Sequence, residues 1–362
     1  MFRYTEDTRI AKAVKIWLIT GLLMVFMQIV IGGITRLTGS GLSITRWEIV
    51  TGTLPPLNDA QWQEEFALYQ QTPQYQKINQ GMLLDDFKFI YFWEYFHRLW
   101  ARLMFFVFVF PFAFFLYRGM FSRRLLPRML VVVALAGLEG FFGWIMVASG
   151  LIKRPWVNAY NLTLHLTMAI VIFSYLLWTT FIAYQPNDVR RSGSGKWGAG
   201  FSWTMIGVAF VQIALGALMS GSKAGLSYPT WPDMHGAYLP GVLLDPANWI
   251  SENFTNYDSD IFMPTLIQFL HRNTAYLLSI LIIYFVWKTG KGEPKTSSLR
   301  LGNTALLVML SVQILLGIFT LINCNGSIPV TLGVLHQAGA IVLLGILLFV
   351  TYQLSLIPNT KK

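Results

Sequence analysis

Eight apolar runs dominate this chain, at about residues 14–34, 93–117, 127–149, 161–184, 201–219, 263–287, 302–322 and 330–355. Each is about 18 residues or longer, the length a helix needs to cross a hydrocarbon core of roughly 30 Å. Of the 362 residues, 54% are hydrophobic and only 12% charged, against the roughly 25% charged of soluble domains. The expected fold class is therefore an all-α membrane protein with eight transmembrane helices. An even number of spans returns both termini to the same side.

The charges say which side. Of 27 Lys and Arg, 17 fall in the termini and the 2–3, 4–5 and 6–7 loops, and 7 in the alternate loops. Positive charge concentrates in short cytoplasmic loops, so both termini are expected in the cytoplasm. Topology then accounts for the net charge of +10, and no nucleic-acid partner is expected. The first span follows Lys12 and Lys15 as a signal peptide would, yet runs on into Gly32 and Gly33 without a small-residue cleavage site, so it is expected to be retained. The lack of an Arg/Ser-rich presequence favours a bacterial plasma (inner) membrane over an organelle. Cys324 is the single cysteine, which excludes an intramolecular disulfide and a thiol-pair redox mechanism.

The chain repeats itself. QIVIGGITRLTGSGLSITRW from Gln28 and QIALGALMSGSKAGLSYPTW from Gln212 match at a constant offset of 184, through Gln28, Ile29, Gly32, Gly41, Leu42, Ser43 and Trp47. His97-Arg98 and His271-Arg272 recur, as do Gly143 and Gly317. Four helices per copy is an even number, so the copies enter the membrane in one direction. This predicts two tandem four-helix bundles related by a pseudo-twofold axis along the membrane normal. The expected division is an N-terminal half over 1–184, a cytoplasmic linker over 185–200 rich in Gly, Ser and Pro, and a C-terminal half over 201–362. The long outer loops, 35–92 and 220–262, are expected to be ordered and functional. The stretch from Trp62 to Tyr75 suggests an amphipathic helix on the membrane surface.

Four of the five histidines, His97, His165, His271 and His336, sit a few residues inside even-numbered helices, at similar depth near the outer face. Intramembrane ionisable groups are expensive and tend to be functional. One pair in each half is what two imidazoles gripping a haem iron from different helices require. Zinc or copper would want further close Cys, His or carboxylate ligands, and the spans of the second half offer none. His235, in the loop string TWPDMHG, reads as a surface residue. Arg98 and Arg272 each follow a histidine and Arg102 lies a turn further in; they are placed either to pair with haem propionates or to snorkel to the interface.

The halves also differ. Glu94 shares a helix face with His97, whereas the equivalent residue before His271 is Gln268; Glu139 is matched by Gln313. A carboxyl group in an apolar pocket is a candidate for proton transfer, so Glu94 reads as such a candidate or as an ordinary interfacial carboxylate, and the first half is expected to hold the reacting centre and the second an electron-transfer or spectator haem. Glu139 is a weaker candidate for the same work, or a hydrogen-bonding group between helices.

The strings GGITRLTGSGLSITRW, GTLPPLNDAQWQEEFALYQQTPQY, FKFIYFWEYFHRLWAR, GWIMVASGL, GALMSGSKAGL, TWPDMHG, QFLHRNTAY and LHQAGA span most of residues 28–340. Through them the chain resembles the haem A synthase family, in its mitochondrial and proteobacterial-like branch. The resemblance implies an oxidoreductase that converts the C8 methyl of haem O to a formyl group by successive hydroxylations, for cytochrome oxidase biogenesis. It further implies that Glu94 is the catalytic carboxylate, that His97 and His165 flank the substrate haem O, and that His271 and His336 ligate haem B as cofactor. A haem O-supplying farnesyltransferase and an electron acceptor are implied partners, and self-association into a homo-oligomer is compatible with it. The paired loop cysteines of some members are absent here. The competing reading is a diheme electron-transfer cytochrome b without a substrate of its own; a parallel-repeat transporter would instead need broken helices at its binding site.

Overall fold

The computed structural model describes residues 10–46, 53–152, 155–185, 189–191, 197–291 and 297–358. Eight helices among these residues are long and apolar enough to cross a membrane. In chain order they are α1 (Lys12–Leu37), α4 (Leu84–Tyr117), α5 (Leu125–Ile152), α6 (Ala159–Tyr184), α7 (Trp197–Gly221), α9 (Phe262–Gly290), α10 (Ser297–Ile322) and α11 (Val330–Leu354). Three shorter helices lie in the long connections between spans: α2 (Asp59–Gln70), α3 (Pro73–Lys77) and α8 (Ser251–Thr255). Every expected span is present and none is interrupted. Trp47 and the Gly/Ser portion of the expected linker, 192–196, lie outside the described residues.

The largest departure from the sequence expectation is at α4, which starts nine residues before the apolar run at 93. Its opening turns carry Asp85 and Asp86, which suit the positive N-terminal end of a helix but dilute the hydropathy. Those turns are held by packing. Phe87, Ile90 and Tyr91 bury against Phe66 and Tyr69 of the preceding loop. The stretch from 62 to 75 is thus two helices, α2 docked on α4 and α3 packed against α2 and α5, in place of one amphipathic helix lying on lipid. The break falls where the Thr72 side chain accepts from the Tyr75 amide and Pro73 opens α3, an arrangement suited to a helix start. Tyr69, fully buried there, donates to Gln74 Oε1 at 3.1 Å and accepts from Asn79 Nδ2 at 2.7 Å. Burial pushes its pKa up to about 12, so the phenol stays protonated and keeps this joint neutral.

Consecutive spanning helices pair as hairpins: α1 with α4, α5 with α6, α7 with α9 and α10 with α11. Helices α1, α6, α7 and α11 meet at the centre, where the main core draws Ile29, Ile170, Ile206, Ile282, Leu306 and Leu344 from both halves of the chain. Polar ties reinforce that seam. Arg36 Nη2 donates to the carbonyls of Ser220 (2.5 Å) and Gly221 (3.2 Å), and Gln337 Nε2 to that of Ile29 (2.8 Å). Ser220 is the counterpart of Arg36 at the offset of 184, so this contact joins equivalent positions of the two copies. On the side of the termini, β1 (Val189–Arg191) pairs antiparallel with β2 (Leu356–Pro358), Val189 opposite Pro358, tying the segment between the halves to the C-terminal tail.

Candidate haem sites

All four intramembrane histidines line one cavity of about 1570 Å³, together with Glu94 and Glu139. Gln74, Asn79 and Met82 of the connection from α1 to α4 and Trp231 of that from α7 to α9 also reach it.

The four histidines share one local construction. Each ring lies against a glycine of the helix before it. A Cβ added at Gly32 would stand 3.2 Å from His97 Nε2, at Gly143 3.0 Å from His165 Cε1, at Gly216 3.2 Å from His271 Cε1, and at Gly317 2.8 Å from His336 Cε1. Four residues before each glycine, on the same helix face, stands a polar partner for the ring. Gln28 Nε2 lies 2.9 Å from His97 Nε2, Gln212 Nε2 3.2 Å from both ring nitrogens of His271, and Gln313 Nε2 3.1 Å from His336 Nδ1. At the fourth site the partner is Glu139, whose Oε1 is 3.1 Å from His165 Nδ1. The unit is therefore a hairpin, Gln/Glu-x-x-x-Gly followed by His, occurring four times as QIVIG, EGFFG, QIALG and QILLG. Sequence reading matched these residues only between the halves, Gln28 and Gly32 with Gln212 and Gly216 at an offset of 184, and Glu139 and Gly143 with Gln313 and Gly317 at 174. It missed the fourfold unit because the hairpins differ in loop length, so no single offset aligns them.

Two observations show that the site fits a haem. An imidazole nitrogen binds a first-row metal at about 2.0–2.1 Å and lies roughly 1.1 Å from its ring centre, so two rings on opposite sides of one iron have centres about 6.3 Å apart. The His271 and His336 centres are 6.4 Å apart. Second, in all four hairpins one oxygen of the ring's partner is buried without a hydrogen bond: Oε1 of Gln28, Gln212 and Gln313, and Oε2 of Glu139. A metal-bound histidine donates its other ring N–H to just such an acceptor. A multi-ligand metal ion is less well served, since no three His, Cys, Asp or Glu come together among the described residues.

Glu94 is 3% exposed, not at the water boundary. Its Oε2 accepts from Ser43 Oγ (2.8 Å) and the Ile44 amide (2.9 Å), and its Oε1 from Arg98 Nη2 (2.5 Å). In the second half Gln268 instead donates through Nε2 to the carbonyl of Tyr228 (2.8 Å), the counterpart of Ile44 at the offset of 184. The two arginines after the histidines do the same work in each half. Arg98 Nη2 donates to the Ile44 carbonyl and Arg272 Nη2 to that of Tyr228, both at 3.2 Å. Arg272 adds the carbonyls of Thr230 (2.6 Å), Pro232 (3.4 Å) and Asp233 (2.8 Å). Arg98 and Arg272 thus hold the 44–46 and 228–233 segments at the cavity, and Arg102 lines it a turn further along α4. His235 is exposed, in a left-handed turn at φ 53°, with its ring against Tyr228. Cys324 is buried and donates to the Thr320 carbonyl at 3.2 Å.

Residues 15–348 match the COX15-CtaA family, described as cytochrome oxidase assembly protein. The chain is 40% identical over 346 residues to a protein named heme A synthase from Nitrosospira multiformis, covering 95% of this chain and 94% of the relative. It is 42% identical over 346 residues to that of Sinorhizobium medicae, covering 94% and 89%. For the one from Flavobacterium psychrophilum the figures are 37% over 350 residues, covering 95% and 98%.

Proposed function

From the premise that this chain belongs to the COX15-CtaA cytochrome oxidase assembly family, that of the haem A synthases, we propose a division of labour between its two halves in oxidising haem O. The protein is a multi-pass membrane oxidoreductase whose substrate is haem O. The finer assignment is that His97 and His165 flank the substrate in the half formed by 1–184, and that His271 and His336 ligate a haem B in the half formed by 201–362. The observation that carries it is the hairpin unit: each histidine backed by a glycine and partnered by a buried amide or carboxylate, with His271 and His336 spaced as opposed ligands of one iron.

Bound between His271 and His336, haem B would supply one-electron redox chemistry. The rest is the work of the chain's own groups. The glycines let each ring approach its neighbouring helix, and Gln212 and Gln313 orient the rings that face each other. Arg272 holds the 228–233 loop over the outer end of its half, and Arg98 holds the 44–46 segment over the other. Glu94 is the one carboxylate lining the cavity beside His97 on its own helix face, and is kept in place by Ser43, Ile44 and Arg98. It is therefore the group positioned to take a proton as the C8 methyl is hydroxylated. Two hydroxylations followed by loss of water give the formyl group. Gln268 at the equivalent place cannot take that proton, which favours one reacting half over two equivalent electron-transfer sites.

The excess of basic residues in alternate loops supports cytoplasmic termini, with both sites near the outer face of a bacterial inner membrane. A farnesyltransferase that makes haem O and a membrane electron acceptor are the partners this role requires. The test is to express the chain with a source of haem O and to identify the extracted haems. Haem A is expected from the wild type. His271→Ala or His336→Ala should remove the low-spin b-type spectrum, and full haem content in both variants would refute the ligand assignment.

A further inference from the structure

We propose that Glu139 is a positioning residue of the first-half site: as the one carboxylate among the four ring partners, it fixes the tautomer of His165 and makes that imidazole a stronger donor to the substrate's iron than the other three. The inference rests on the reading of His165 as a ligand. It adds a role for a residue that the proposed reaction leaves unused.

The argument begins with the repeat. Three hairpins place an amide against the ring, and an amide can donate or accept, so it tolerates either ring tautomer. The fourth places Glu139 there, with Oε1 3.1 Å from His165 Nδ1. A carboxylate only accepts. It therefore selects the ring with hydrogen on Nδ1 and leaves Nε2 free for the metal. Carboxylate partners of metal-bound histidine fix ring orientation and raise ligand basicity, and hydrogen bonds to an ionised acceptor are roughly twice as strong as neutral ones.

The second line is cost. Glu139 lies mid-span on α5, where a carboxylate is expensive unless it serves a function. Among the described residues the one ion-pair partner it has is His165; that 3.1 Å contact lacks hydrogen-bond alignment, so Glu139 Oε2 and His165 Nδ1 are both buried without a hydrogen bond. Helix cohesion does not explain it. Gln313 at the corresponding position of α10 reaches across to the His336 carbonyl at 2.9 Å as well as to its ring, so an amide serves packing there. The consequence is asymmetric: a more electron-rich axial ligand stabilises ferric iron, and the first-half porphyrin is set at a lower potential than it would have with glutamine.

The test is a redox titration of the full-length protein, with haem O bound in the first half and haem B in the second, followed in the visible spectrum. Glu139→Gln should raise the first-half midpoint until the ferrous-to-ferric ratio at fixed potential grows at least tenfold, about 59 mV for one electron, with the second-half midpoint unchanged. The reciprocal variant Gln313→Glu should lower the second-half midpoint and leave the first alone. A haem-replete Glu139→Gln protein with an unshifted first-half midpoint overturns the proposal. If Glu139→Gln fails to accumulate, Gln313→Glu decides: a replete protein with an unshifted second-half midpoint overturns it equally. Failure of the underlying reading looks different, since His165→Ala would then keep the wild-type first-half spectrum whatever Glu139 does.

Discussion

Consider Gly317→Ala, the smallest change that touches a proposed haem ligand without altering its chemistry. The new methyl carbon would stand 2.8 Å from His336 Cε1, where ordinary contact begins at 3.4 Å. The ring or helix α10 must give by about 0.6 Å, and overpacking a fitted site costs typically about 1–3 kcal/mol. His336 cannot retreat freely, because Gln313 holds both its ring and its backbone carbonyl. If the cost falls on the haem-bound state, affinity drops roughly five- to 150-fold, since about 1.4 kcal/mol is a factor of ten. Transfer of haem from the purified protein to excess apomyoglobin, followed in the Soret band, reads this directly. Gly207→Ala on α7, where an added Cβ meets nothing within 4 Å, is the control and should transfer at the wild-type rate. The graded spacings also predict an order: Gly216→Ala, at 3.2 Å, should lose less second-half haem than Gly317→Ala. Wild-type retention and spectrum in Gly317→Ala would refute the claim that the glycine exists to seat the ring.

Four further outcomes are expected. Glu94→Gln should leave the second-half haem spectrum intact while haem A formation collapses, and Ser43→Ala, which removes one hydrogen bond to a charged group worth about 1.5–3 kcal/mol, should cut product formation at least tenfold; extracted haems measure both. Arg272→Lys cannot span the four carbonyls between Tyr228 and Asp233, so limited proteolysis should cut that loop faster than in the wild type. Partial burial, and then the charge of Arg36, lower the pKa of Lys223, so more of its amine is neutral at a given alkaline pH; among exposed lysines it should label with amine-reactive reagents at lower pH than its accessibility alone predicts, and Arg36→Gln should move that onset upward.

The spans and the histidines were legible in the sequence because lipid enforces a simple rule on them. A run such as 302–322 has to be apolar throughout, and an imidazole such as His336 inside one stands out against it. The outer loops obey no such periodicity. The extension of α4 back to Leu84 depends on Phe66 and Tyr69 arriving from another segment, and the burial of Glu94 depends on Ser43 and Ile44 folding over it. Neither neighbour is near in sequence. The same holds for the arginines. Arg98 and Arg272 read equally well as anion partners or as snorkelling groups until the carbonyls of Ile44 and Tyr228 are seen under them. Gln28, Gln212 and Gln313 were visible as letters, but an isolated glutamine in a helix carries no mark of what it faces.

The meeting of Arg36 with Ser220 bears on how such a molecule could have come about. Two identical chains docked in this way would set the same side chain against itself at that point. Paired guanidinium groups there would repel, and paired serines would forgo the long reach to a helix end. Fusion into one polypeptide lifts that restriction, letting one copy keep the cation while the other carries a small side chain there and offers its main-chain carbonyls, and it frees the two histidine pairs to drift apart in the same manner.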